Sequence, residues 1–182
     1  DVYKRQVLPH MIGIGGDAFW MIHDAKSNTL SALNGSGTCG KDINLDTYRG
    51  MDAIPNRGPQ SAITVPGAID SWALAHERFG TMPLTRLLAP AIRYASEGVA
   101  VTQDISRWIT DDTEDFRKDP GSAGIFLKNG NAYQPGERLQ QPALAKTLEN
   151  IAQHGPRYFY EETAKSIVSY LKSQGGLLTV ED

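Results

Sequence analysis

The sequence predicts an α+β chain with a large helical portion. Three observations carry this: an apolar run at Ala18–Asp24 with a returning segment at 29–33, a central series of apolar residues spaced three and four apart, and glycine and proline punctuation between them. In the first run Phe19 and Met21 alternate with Trp20 and Ile22, so both faces of the strand are apolar. Such a strand needs cover on both sides, and a lone hairpin turning through the polar residues 25–28 cannot supply it.

The short apolar run at 63–65 stops at Pro66-Gly67, after which Ile69, Trp72, Ala73, His76 and Phe79 mark an amphipathic helix ending near Gly80. Leu84, Leu87, Leu88, Ala91 and Ile92 repeat the pattern, and Pro90 predicts two short helices rather than one straight one. Ile105, Trp108, Ile109 and Phe116 mark another helix, with Asp111, Asp112, Glu114 and Asp115 on its outer face and Trp108, like Trp72, at a packing position. Residues 119–124 form a turn-rich break. Gly130-Asn131 and Pro135-Gly136 bound a small irregular or hairpin region around Phe126 and Tyr133. Pro142 opens a helix carrying Leu144, Leu148 and Ile151, stopped near His154-Gly155, and a last helix fits 161–173, with Ala164, Ile167, Val168 and Leu171 on one side.

Composition bounds the function. With 40% hydrophobic and 21% charged residues, the 182-residue chain is ordinary globular material, enough for one core or part of a larger one. Eighteen Lys and Arg against 21 Asp and Glu give a net charge of -3, and the aromatics are not interleaved with lysines, so a nucleic-acid surface is disfavoured. The single Cys39 excludes an internal disulfide and a thiolate zinc cluster made by this chain alone. No uninterrupted apolar stretch reaches the roughly 10 residues of a signal peptide or the roughly 20 of a membrane span. The start at residues 1–6 lacks an initiating Met and the end stops on a turn entering a new element, so both ends read as cuts.

Two polar segments are candidates for chemistry. Gly13-Ile14-Gly15-Gly16-Asp17 permits tight turns and close backbone approach, and reads either as a structural turn or as support for a site, with Gly15 and Gly16 as the supporting residues. It lacks the Gly-Lys-Ser/Thr of a phosphate loop and precedes its strand, whereas dinucleotide glycines follow one. Asn34-Gly35-Ser36-Gly37-Thr38-Cys39-Gly40 reads as a turn or a substrate-facing loop; a nucleophile there would also need a placed base and oxyanion donors. Cys39 is expected to be a small packed residue. His10, His23, His76 and His154 show no metal-ligand spacing, His76 is expected in a core or interface, and the acidic patch lacks the pattern of a calcium loop. Glu161-Glu162 do not converge on one helix face.

From Pro9 to Asp182 the chain resembles the large-subunit region of the gamma-glutamyltranspeptidases, in the N-terminal nucleophile hydrolase superfamily. The resemblance rests on Gly13-Ile-Gly-Gly-Asp-Ala-Phe, His23-Asp-Ala-Lys, Val65-Pro-Gly, the stretch from Leu87 to Gly98, and Gly175-Gly-Leu-Leu-Thr-Val-Glu-Asp182, in that order. It implies a partial four-layer αββα fold, with 1–182 as part of the large-subunit region of one domain. It also implies a proenzyme that cuts itself to expose an N-terminal Thr, outside this chain, whose hydroxyl attacks a gamma-glutamyl amide. The partners it implies are the small-subunit half of the same precursor and a small gamma-glutamyl or other amide substrate. No cofactor or metal is implied, and no catalytic residue falls within the chain.

In typical members the segment after Asp-Ala-Lys leads to an Asp-Phe-Arg-Glu-Thr-Ala-Pro-like motif whose Arg clamps the donor's α-carboxylate. Here Ser36 stands where that Arg would fall, and Ser36 cannot make a bidentate charged pair. Asn34, Ser36 and Thr38 are the expected substrate-binding residues. A glutathione-like gamma-glutamyl donor leads, with a related acylase or amidohydrolase as the first alternative and a noncatalytic scaffold as the second. The chain alone is expected to be inactive and poorly soluble, because apolar strand faces would be exposed.

Overall fold

The computed structural model describes residues 12–182; residues 1–6, Pro9 and His10, which entered the reading above, lie outside the described residues. In chain order the elements are β1 (Ala18–Asp24), β2 (Thr29–Gly35), a 3-10 turn (Leu45–Tyr48), α1 (Ala68–Phe79), α2 (Leu84–Glu97), β3 (Val99–Ala100), α3 (Gln103–Asp111), α4 (Thr113–Lys118), α5 (Pro120–Phe126), β4 (Leu127–Lys128), β5 (Asn131–Ala132), β6 (Arg138–Leu139), α6 (Pro142–His154), a π-helical turn (Phe159–Thr163) and α7 (Ala164–Ser173). The sheets are open and two-stranded, pairing β1 with β2, β3 with β6 and β4 with β5, all antiparallel. Among the described residues no helix is long and apolar enough to cross a membrane.

The chain divides into two compact units. One is built on Met82–Gln153 and centres on Val101, Ile105, Ile109, Leu127 and Leu139, with Phe116, Phe126 and Tyr133 packed against them. Phe116 stacks on Phe126 with ring centroids 4.7 Å apart. Asn129 and Gly130 both take positive φ (53° and 78°), the geometry of a tight hairpin turn, and so join β4 to β5.

In this unit the structure corrects four expectations. Residues 120–124, expected as part of a turn-rich break, lie in the helix α5, which Pro120 opens and Asp119 caps by accepting from the Ser122 N–H. Pro90 does not divide its helix: α2 runs continuously from Leu84 to Glu97. An interior proline costs about 3 kcal/mol, but Pro90 is exposed while Leu88, Ala91 and Ala95 are buried on the other side, and that burial keeps the helix in one piece. The helix expected through Phe116 is two helices, broken at Asp112. Trp108 is 43% exposed, because Ile105, Ser106 and Ile109 define the buried stripe and Trp108 falls off it.

The other unit joins Ile14–Thr81 to His154–Asp182. Its β1–β2 hairpin is in register over seven pairs, from Ala18 opposite Gly35 to Asp24 opposite Thr29, two residues longer in β2 than the apolar pattern alone showed. Trp20, Ile22 and Leu33 turn to one face, where Trp20 Nε1 donates to Ser71 Oγ on α1 at 3.0 Å. Phe19, Met21 and Leu30 share the other face and are 72%, 78% and 65% exposed. Among the described residues the strand is therefore covered on one side only. Phe159, 1% exposed, anchors the π-helical turn, and Ala68, Ile69 and Trp72 are buried along α1.

Candidate functional site

The segment from the end of β2 onward, Asn34 to Gly40, is fixed by close contacts that only glycine permits. A Cβ at Gly37 would lie 1.6 Å from the Val65 carbonyl oxygen, one at Gly35 would lie 2.3 Å from Ser71 Cβ, and one at Gly67 would lie 2.5 Å from the Gly35 carbonyl oxygen. Three backbones thus meet without side chains between them. The Val65 N–H donates to the Thr38 carbonyl at 2.9 Å, which holds the extended residues 63–65 beside the segment.

Asp17 ties the other side. Its Oδ1 accepts from the Gly37 N–H at 2.8 Å and from Thr64 Oγ1 at 3.2 Å. Asn34 Oδ1 accepts from both the Ser36 N–H (3.0 Å) and Ser36 Oγ (2.8 Å), closing an Asx turn. Asn34, Ser36 and Thr38 are all exposed, and the structure brings them together on one short segment. Cys39 is exposed as well, contrary to the packed role expected for it, because the segment runs along the surface with its glycines turned inward.

Gly16 supports this region through its carbonyl, which accepts from the Ala68 N–H at 2.9 Å. Neither Gly15 nor Gly16 is required by close approach, since a Cβ at either meets nothing within 4 Å. The residues that escaped the sequence reading are Asp17 as a side-chain tether, Thr64 and Asp182 at the segment, and Tyr160 at the neighbouring Pro66 and Asp70. Asp17 was visible in its motif; its partners, 20 and 47 positions away, were not.

Tyr160 and Asp182 bring the far end of the chain to the same unit. Tyr160 OH donates to the Pro66 carbonyl at 2.7 Å and accepts from the Asp70 N–H at 2.9 Å. Burial pushes its phenol above the ordinary value, partly offset by the Asp70 N–H. Asp182 Oδ1 accepts from the Lys41 N–H at 2.7 Å and Oδ2 from the Thr179 N–H at 2.8 Å, and these N–H groups hold its carboxyl below the ordinary carboxylate value. An apolar cavity of about 180 Å³ lies beside them, lined by Val65, Pro66, Phe159, Ile167, Val168 and Leu178. Among the described residues no three His, Cys, Asp or Glu side chains are grouped to hold a metal ion. His76 is half-buried on α1.

The family described as Gamma-glutamyltranspeptidase matches residues 4–182. The chain belongs to this family. It is 42% identical over 177 residues to the glutathione hydrolase-like YwrD proenzyme of Bacillus subtilis, covering 97% of this chain and 34% of that protein. The oxamate amidohydrolase proenzyme of Klebsiella pneumoniae is 39% identical over 182 residues, with the same coverage, 97% and 34%. The crystal structure of Helicobacter pylori gamma-glutamyltranspeptidase superposes with a TM-score of 0.93 at 29% identity, covering 100% of this chain and 53% of that one. The chain therefore spans about a third of the length of these curated relatives. Its fold is a partial αββα architecture of the N-terminal nucleophile hydrolase type, with the helical content expected.

Proposed function

We propose that the complete, processed protein hydrolyses or transfers the gamma-glutamyl group of glutathione-like amides. The observation that carries this is the uninterrupted family match from residue 4 to residue 182, supported by relatives named as glutathione hydrolases and proenzymes. The nucleophile is the N-terminal Thr of the small-subunit half, outside this chain. Its hydroxyl oxygen bonds to the amide carbon, the C–N bond breaks and the amine leaves with a proton; water or an acceptor amine then takes the acyl group from the ester. This chain contributes Asn34, Ser36 and Thr38 toward the substrate, with Gly15 and Gly16 behind them. Alone it is inactive, since positioning without a nucleophile leaves the covalent route closed. The exposed face bearing Phe19, Met21 and Leu30 is the surface that the small-subunit half covers.

Steady-state turnover of a gamma-glutamyl anilide against simple acyl anilides, on the full-length processed protein, tests the reading. Clear preference for the gamma-glutamyl donor supports it, and equal or better turnover of the simple donors rejects it. One observation favours a second reading, an amidohydrolase or acylase with another donor: the hydroxyl of Ser36 stands within the segment where a guanidinium would clamp a carboxylate, and a relative is named an oxamate amidohydrolase. Treatment with an amide-reactive electrophile separates both from a noncatalytic scaffold, which would take up no label at a new internal terminus.

A further inference from the structure

Two Asn-Gly pairs occur in the sequence, Asn34-Gly35 and Asn129-Gly130. In such a pair the glycine amide nitrogen can reach the asparagine side chain, because glycine has no Cβ to block the approach and leaves the backbone free to turn. The fold puts the two pairs in opposite circumstances. Asn34 and Gly35 end β2, paired with Phe19 and Ala18, and a Cβ on Gly35 would lie 2.3 Å from Ser71 Cβ, so the backbone there has little room to rotate. Asn34 Oδ1 also accepts from the Ser36 N–H and from Ser36 Oγ, which holds its side-chain amide in place.

Asn129 and Gly130 form the whole loop between Lys128 and Asn131, in the unit built on Met82–Gln153, and both are exposed. A Cβ on Gly130 would meet nothing within 4 Å. Among the described residues neither the Asn129 side chain nor the Gly130 N–H makes a hydrogen bond. The loop is held instead through its carbonyls: that of Gly130 accepts from Arg117 Nη2 at 2.8 Å and Nε at 3.3 Å, and that of Asn129 accepts from Asn131 Nδ2 at 3.3 Å. Both reacting groups are therefore free, and the Arg117 contacts restrain the rotation that brings them together.

We propose that Asn129 is a modification site, at which the Gly130 amide nitrogen attacks the side-chain carboxamide and converts the residue to aspartate and isoaspartate. The new bond joins Gly130 N to Asn129 Cγ; the Cγ–Nδ2 bond breaks, and Nδ2 leaves as ammonia with the proton from Gly130 N. Water then opens the cyclic imide, giving aspartate where the bond from nitrogen to Cγ breaks and isoaspartate where the bond from nitrogen to the main-chain carbonyl breaks. Isoaspartate routes the chain through the side chain and adds a methylene between β4 and β5, which so tight a turn cannot absorb in register. The pair nearest to it, Leu127 opposite Ala132, belongs to the core of this unit, so the change loosens that core. The inference does not depend on which amide the enzyme cleaves.

The test incubates the full-length processed protein in mildly alkaline buffer, native and in urea, and follows both pairs by peptide mass mapping and by isoaspartyl methyltransferase labelling. In urea the two pairs react in the ratio set by local sequence alone. In the native protein that ratio should shift toward Asn129 by about 10- to 100-fold, the worth of the two Ser36 bonds that Asn34 must first break. Arg117→Ala releases the Gly130 carbonyl and should speed the native reaction at Asn129 by about 2- to 10-fold, the worth of one such bond, while leaving Asn34, in the other unit, unchanged. A ratio that does not move or that shifts toward Asn34, no native product at Asn129 over several half-lives of the denatured protein, or an Arg117→Ala rate no higher than that of wild type overturns the inference.

Discussion

The Lys41 N–H donates to Asp182 Oδ1 at 2.7 Å, joining positions 141 residues apart in the sequence. The same carboxylate receives the Thr179 N–H, so one side chain ends the Asn34 to Gly40 segment and the terminal turn together. Gly40 fits against it, since a Cβ there would lie 3.2 Å from Asp182 Oδ2.

This bond sets a pH dependence. The carboxyl of Asp182 is held below its ordinary value, first by the Lys41 N–H and then by that of Thr179. A depressed pKa in the folded state contributes stability above the unfolded value and loses it as pH falls through the folded one. Asp182→Asn should therefore be less stable than wild type near neutrality, with the gap closing below the ordinary carboxylate range. Urea unfolding of both full-length proteins at neutral and acid pH checks this; a gap that does not depend on pH would refute it.

Tyr160→Phe should cost about 1–2 kcal/mol, because its half-buried hydroxyl is both donor to Pro66 and acceptor from Asp70 and leaves two backbone groups short of a partner. Denaturant midpoints at unchanged slope measure it, and a neutral result would show that water replaces the hydroxyl.

The glycines divide into two groups. Gly37→Ala should destabilise toward the upper part of the roughly 1–3 kcal/mol range for overpacking and lower activity with it, since the Val65 carbonyl occupies the space a Cβ needs. Gly124→Ala, in α5 with nothing within 4 Å of the added carbon, should stabilise by about 0.5–1 kcal/mol. Thermal unfolding of the two variants should move in opposite directions.

Phe19→Ser and Met21→Ser, on the hairpin's exposed face, should make the isolated 182-residue chain more soluble and weaken its association with the small-subunit half by about 10- to 100-fold each. Sedimentation of the chain alone and after mixing reads both effects. Unchanged association would place the partner elsewhere.

The local features of this fold were legible because short-range pattern decides them. The apolar run at Ala18–Asp24 marks the strand, and three-and-four spacing from Ile69 to Phe79 marks α1 to within a residue. Pro90 misled because burial on the far side of α2 outweighs a local breaking tendency, and Asp112 carried no breaking residue to read. The hairpin's two apolar faces were legible, but which of them this chain covers was not, since the covering contact from Ser71 lies 51 positions from Trp20. At the site, Asn34, Ser36 and Thr38 stood out as polar residues among glycines. Thr64 and Tyr160 did not, because each matters only through a partner brought near by the fold.

The glycines at 35 and 37 alternate with Asn34, Ser36 and Thr38. In an extended segment that alternation separates two inheritances: odd positions face the Ser71 side chain and the Val65 backbone and admit no side chain, and even positions are exposed. Substitution at the even positions leaves the glycine contacts of the segment in place. A lineage built on this hairpin can therefore vary its exposed positions by single changes, while the odd positions remain closed to it.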